Sequence, residues 1–283
     1  MKKLILLLIC FAMVFSLSAC NSAVSPQLML QRNWLIDWSE AQPDMSERLS
    51  YEAKHINGIT GSYVQTFKKI DNTAVTVCDK EFKDIKAYMV VSELKLANDI
   101  VTDTVLFSAG STDFQIYPPL ASERVSFIGG KYKTERILYN GNKADLYITN
   151  TNGVQADTQK QVIELPSPYY DNLQLYTILR AATLSSKFSF GFSIYVPSEA
   201  QMVKLSCAYA GVESVPSLFS VGGIAQSYNC TKVSLTRNQQ VTGSSSFAYF
   251  SNTFKQGGYS YNQVAVKILE GNMTYTLKNI ETF

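Results

Sequence analysis

The thiol of Cys20 is the one reactive group whose neighbours in the chain give it a clear chemistry. Met1-Lys2-Lys3 supplies positive charge, Leu4 to Val14 is a nearly unbroken apolar run, and Leu17-Ser18-Ala19 sets small residues before the sulfur. A charged start, a short apolar stretch and a small-residue cleavage site predict a secretory leader over residues 1–19. Beyond Cys20 the chain is poor in catalytic signals. His55 is the only histidine, so His-pair metal sites are excluded and any triad depends on one base. No GxSxG elbow supports such a triad, and His55 reads as a strand residue. Gly129-Gly130-Lys131 lacks the upstream glycine and the Ser or Thr of a phosphate loop. Glu164, Asp171, Glu199 and Glu213 are acids that lie in the second half. A glycosidase needs two carboxylates about 5–10 Å apart, and the spacing of these four predicts no convergence. No catalytic residue, metal site or cofactor is expected.

Leu17-Ser18-Ala19-Cys20 resembles the bacterial lipobox, in which cleavage precedes the Cys and its sulfur takes a diacylglyceryl group. Each buried methylene contributes about 0.8 kcal/mol, so one chain binds a bilayer weakly and two or more anchor stably. The expected location is extracytoplasmic, tethered to the cell membrane. Asn21 stands where an Asp resembles an inner-membrane retention signal, which points to the outer membrane in a Gram-negative host. No later segment reaches the roughly 18 consecutive apolar residues of a membrane span.

The elements that position these groups read mostly as strands. Charged residues are 17% and aromatics 12%, with 17 Tyr and 15 Phe. Tyr, Phe, Thr and Val favour pleated, half-buried surfaces. The formal net charge is +2 with no basic block, which argues against nucleic acid as a partner. Leu49, Tyr51, Ala53 and His55 alternate with more polar neighbours, and Asn57-Gly58 then signals a turn. Asn140-Gly141 and Glu270-Gly271 close two further hairpins. Many short strands predict an antiparallel curved sheet, sandwich or open barrel.

Two helices interrupt the pattern. Ser25-Pro26 opens a short N-terminal helix to about Ala41, carrying Trp34 and Trp38. Asp171 caps a helix to about Leu184, with Leu175, Ile178, Leu179 and Ala182 on one face. Residues 150–160 are polar and read as a linker or long loop. The domain organisation is then a leader (1–19), a lipidated segment (20–47) and a β-rich domain (48–283) open to division into two similar halves near 150–170.

Cys78, Cys207 and Cys230 remain in the body. Cys207 and Cys230 flank a strand-loop-strand unit, where they form either a disulfide or two buried apolar thiols. Tyr169, Tyr170, Tyr176, Phe190 and Phe192 crowd around the internal helix. They line an apolar or carbohydrate groove, or pack the core. Asp171 and Arg180 read as structural, the latter facing a carboxylate where helix meets sheet.

Three segments carry a resemblance. They are the hairpin from Arg48 to Phe67, the run Tyr170-Asp171 through Leu179-Arg180, and Phe247 to Ser251 followed by Val264 to Ile268. Together they resemble a group of uncharacterised bacterial envelope lipoproteins classed as a domain of unknown function. That group is similar in architecture to the open β-barrel lipoprotein carriers, whose concave sheet holds acyl chains under a helical lid. The resemblance implies a non-enzymatic, lipid-anchored binding or carrier protein for an apolar ligand, with the membrane as partner through the anchor. Two other classes stay open: a structural envelope lipoprotein binding another protein, and a carbohydrate hydrolase.

Overall fold

Strands dominate because the sequence alternates. In β1 (Ser46–His55), Leu49, Tyr51 and Ala53 face inward and Glu52 and Lys54 face water. In the computed structural model the described residues are 46–112, 115–152, 155–196, 201–221, 224–237, 246–251, 254–256, 259–261 and 263–283. Cys20, the leader, the expected N-terminal helix with both tryptophans, and Glu199 lie outside them.

β1 is followed by β2 (Thr60–Asp71), a short ribbon of β3 (Val75–Val77) and β4 (Lys80–Phe82), then β5 (Lys86–Leu96) and β6 (Asp99–Ser108). A second ribbon, β7 (Ser111–Thr112) and β8 (Gln115–Ile116), leads to β9 (Pro119–Ile128), β10 (Lys131–Asn140), β11 (Lys143–Asn152) and β12 (Gln155–Glu164). β13 (Tyr169–Asp171) precedes a 3-10 turn (Asn172–Gln174) and the helix α1 (Leu175–Ala181). The chain ends with β14 (Ser189–Val196), β15 (Gln201–Val221), β16 (Ile224–Arg237), β17 (Ser246–Ser251), β18 (Phe254–Gln256), β19 (Tyr259–Tyr261), β20 (Val264–Glu270) and β21 (Met273–Thr282).

Fifteen of these strands form one sheet, in the order β12-β11-β10-β9-β6-β5-β2-β1-β21-β20-β17-β16-β15-β14-β13. All pairings are antiparallel except β13 with β14. The first and last strands pair at its middle, from Glu47 opposite Thr282 to His55 opposite Met273. The outermost strands, β12 and β13, are joined by residues 165–168. The sheet curls so that these ends meet without closing by a ladder. Ile137, Leu146 and Ile163 from one end pack with Tyr169 and Tyr195 from the other, and the Tyr139 hydroxyl donates to Asp171 at 2.5 Å. The expected curved, mainly antiparallel sheet is therefore present.

Residues 150–160 correct the reading of a linker: they end β11 and begin β12. Their polarity has another cause. β12 is an outer strand whose side chains are exposed at every position but Ile163, so it needs no apolar row. The internal helix is also shorter than expected. It ends at Ala181, where Ala182 turns to an extended conformation.

α1 is buried on all sides. Each of its seven residues is buried, as its sequence LYTILRA, apolar around nearly the whole circumference, requires. Burying Leu175, Ile178 and Leu179 stabilises by roughly 1.5–3 kcal/mol each. The helix runs through the concave side of the sheet as a plug, where the carrier resemblance implies a lid over an acyl-chain cavity.

Both ends of this plug are fixed. Asp171 accepts from the Leu173 amide at 2.8 Å, and Gln174 answers by accepting from the Asp171 amide, a reciprocal cap. At the other end the Gln263 amide donates to the carbonyls of Leu179, Arg180 and Ala182 at 2.7, 2.9 and 2.6 Å. Carbonyls at a helix terminus lack intrahelical donors, and Gln263 supplies one from outside the helix.

Candidate functional site

The strand directions place a cleft at one end of the sheet. β1 rises from Ser46 to His55, so the turns 97–98 and 271–272 and the ends of β14 and β16 all lie at the His55 end. The 3-10 turn at the start of α1 sits there too. Between them lies a cleft of about 310 Å³, lined in part by Tyr63, Asp103, Arg124, Asn172, Tyr275 and Glu270. An adjoining lobe of about 230 Å³ shares Asn172, Tyr176, Arg237 and Glu270 with it. The first lobe is near the lower end of the usual size range for small-molecule sites.

Each wall has a local cause. Asp103 and Arg124 stand opposite each other on β6 and β9. Arg124 grips both carboxylate oxygens, at 2.6 and 2.9 Å. Burial opposes the guanidinium charge, yet its hydrogen bonds to Asp103 outweigh that and keep it protonated more firmly than usual. Glu270 closes the β20–β21 hairpin and accepts from the Tyr176 hydroxyl at 2.9 Å. Tyr63 and Tyr275 form an aromatic wall, their ring centroids 4.9 Å apart and their planes tilted by 51°.

The three tyrosine hydroxyls keep their protons. Burial raises Tyr176, and the Glu270 charge raises it further. Burial and Glu270 do the same for Tyr275. Burial raises Tyr63 against the effect of its hydrogen bond to Ser92. The cleft therefore offers neutral hydroxyls, ring faces, two arginines and two carboxylates.

Of the residues expected to line a groove, Tyr176 alone reaches this cleft. Tyr170, Phe190 and Phe192 pack in the core around α1, with Tyr170 edge-on to Phe192 at 5.2 Å. Tyr169 lies in the seam between the two ends of the sheet and donates to the Gly141 carbonyl at 2.5 Å. These four take the second of the two readings, core packing: Tyr170, Phe190 and Phe192 on the side of α1, and Tyr169 on the opposite face of β13. Arg180 meets the buried carboxylate of Glu47 at 2.5 Å.

The cysteines take the second of the two readings. Cys78, Cys207 and Cys230 are free thiols. Cys207 lies opposite Leu235, and Cys230 is five residues earlier in β16. That offset is roughly 16 Å at about 3.3 Å per residue, well beyond the span of a disulfide. His55 sits at the first turn, where its Nδ1 accepts from the Asn57 amide at 3.2 Å. The acids Glu164 and Glu213 make surface pairs with Lys143 and Lys232, while Asp171 is held in the α1 cap. None of the three lines the cleft. Among the described residues no His, Cys, Asp and Glu group is arranged to hold a metal ion, and no helix is long and apolar enough to cross a membrane.

Asp103, Arg124, Glu270, Arg237, Tyr63 and Tyr275 were not singled out by the sequence. One signal was present for Asp103. It shares an inward row with Val105 and Phe107, all buried, and an acid in a buried apolar row calls for a partner.

No protein-family model matches the chain, and no curated protein matches it. Among solved structures, the chain is similar to one described as "a putative lipoprotein from Parabacteroides distasonis ATCC 8503", at 10% identity and a TM-score of 0.27 over 83% of this chain and 95% of that one.

Proposed function

We propose that this chain is a lipid-anchored, extracytoplasmic binding protein. It acts without catalysis and holds a small ligand in the cleft above α1. The leader and Cys20 support the anchor. One structural observation supports the binding role most directly: a cleft lies at the His55 end of the sheet, opposite the end at which the described chain begins. The described chain enters at Ser46, and β1 carries it ten residues to His55 beside the cleft, about 33 Å at roughly 3.3 Å per residue. In this reading the cleft faces away from the bilayer, toward ligands in solution.

The buried helix also shapes this reading. An acyl chain held beneath α1 would need space that the helix's own side chains occupy, which favours a site over the plug rather than under it. Hydrolysis is the second reading, because Asp103 and Glu270 line one cleft. It is the weaker one: both oxygens of Asp103 are engaged by Arg124, which holds this carboxylate in an ion pair rather than over a substrate.

The test uses the acylated protein on phosphatidylcholine vesicles, with the Cys20→Ser variant beside it. The parent is expected to float with the vesicles and the variant to stay soluble. Cysteines at the exposed Asn98 and Asn142 then report orientation through a membrane-impermeant maleimide. Faster labelling of Asn98→Cys supports the reading. Equal vesicle binding by Cys20→Ser, or protection of Asn98→Cys with free labelling of Asn142→Cys, overturns it. Sugar release from a bound glycan that Glu270→Gln abolishes would replace binding by hydrolysis.

A further inference from the structure

We infer that the cleft takes a neutral, polyhydroxylated ligand of the oligosaccharide class, seated on the Tyr63–Tyr275 wall between Arg237 and Glu270. This inference rests on the reading of the cleft as a ligand site and names its ligand.

Charge balance is the first argument. The charged groups lining the two lobes are Asp103, Glu270, Arg124 and Arg237, two of each sign. Asp103 and Arg124 are paired with each other. The cleft thus has no net charge to select an anion or a cation, yet it keeps directional donors and acceptors. A fully apolar ligand is disfavoured for the opposite reason: it would strip water from these groups without replacing the hydrogen bonds.

Shape and proton state give the second argument. A pyranose has an apolar C–H face and a rim of hydroxyls. The tilted pair Tyr63 and Tyr275 offers a ring surface for the face. Asn172, Arg237, Glu270 and the Tyr176 hydroxyl surround it with groups for the rim. Glu270 is already oriented by Tyr176, so little ordering remains when a hydroxyl binds.

The test is an array of neutral microbial, plant and animal glycans, with uronic-acid glycans and palmitate as charged and apolar probes. Hits are titrated by calorimetry at low and high salt. The expected result is saturable binding of a neutral glycan whose affinity barely changes with salt, as screening acts on charged partners. Arg237→Met and Glu270→Gln should each weaken it about tenfold or more, since a hydrogen bond to a charged group contributes about 1.5–3 kcal/mol. Val212→Ser, on the exposed surface, should not. Where Arg237→Met lowers the melting temperature, the near-isosteric Glu270→Gln carries the comparison. Neutral-glycan binding unchanged by both cleft variants overturns the inference. Binding of palmitate or uronic-acid glycans alone, weakened by the same variants, overturns the ligand class and leaves the cleft as a binding site. An array without hits, together with native mass spectra free of any co-purified molecule, overturns both the ligand class and the binding reading.

Discussion

Glu47 and Arg180, separated by 133 residues, form an ion pair between the first strand and the helix. Their side chains are 0% and 1% exposed, and the guanidinium lies 5.1 Å from the centre of the Phe67 ring. One contact thus ties the foot of α1 to the middle of the sheet.

Glu47→Gln removes the charge and leaves Arg180 buried without its counter-ion. A broken buried pair costs about 3–5 kcal/mol, so urea unfolding followed by circular dichroism should show a loss of that size. Glu47→Met with Arg180→Met should recover much of it, because an apolar replacement avoids the desolvation of both charges. A loss below about 0.5 kcal/mol for Glu47→Gln would remove the pair from the account of how the helix is held.

Gln263 gives a second prediction at the same end of the helix. Its substitution by Ala removes hydrogen bonds that its amide makes to three buried carbonyls, and a lost buried hydrogen bond costs about 1–3 kcal/mol. Gln263→Glu should be worse than Gln263→Ala, since a carboxylate facing three carbonyls has no hydrogen to donate. Thermal melts of the two variants provide the ranking. The reverse order would show that the side chain's bulk, not its N–H groups, matters there.

Asp171 predicts a pH dependence. Burial raises its carboxyl above the ordinary 3.8, against hydrogen bonds from Ser122, Tyr139 and the Leu173 amide. The folded state therefore holds this proton more tightly than the unfolded chain. Its contribution to stability is complete below 3.8 and is lost as pH rises through the folded value. Asp171→Asn keeps a cap oxygen and cannot titrate. Unfolding midpoints from about pH 4 to about pH 7 should then fall less steeply for the variant than for the parent. Identical slopes would contradict a raised Asp171.

The three thiols predict silence. Burial pushes Cys78, Cys207 and Cys230 up to about 12, helped at Cys78 by Glu123 and at Cys230 by Glu213. At pH 8 only about one in ten thousand of each is thiolate. Iodoacetamide should leave all three unmodified in the native protein and alkylate all three in denaturant. A mass two hydrogens short before reduction would reveal a disulfide and contradict the separation of Cys207 from Cys230.

Local signals were readable because short-range chemistry decides them. Asn57-Gly58, Asn140-Gly141 and Glu270-Gly271 are turns in the structure, with positive φ at each glycine. Asp171 caps where its oxygen can meet the Leu173 amide two residues on. Leu49, Tyr51 and Ala53 alternate inward because side chains in a strand alternate between faces. The polar stretch of β12 was misread because an outer strand exposed on both faces carries no apolar row to detect.

By itself the sequence determined that alternating, turn-punctuated segments must build sheet. Only the tertiary structure decided which segments are neighbours: that the first strand pairs with the last, that α1 fills the curl, and that Asp103 and Arg124 meet Glu270 and Arg237. A turn or a cap spends its energy within a few residues. The cleft depends on register and curvature accumulated over fifteen strands, and no short window of sequence contains either.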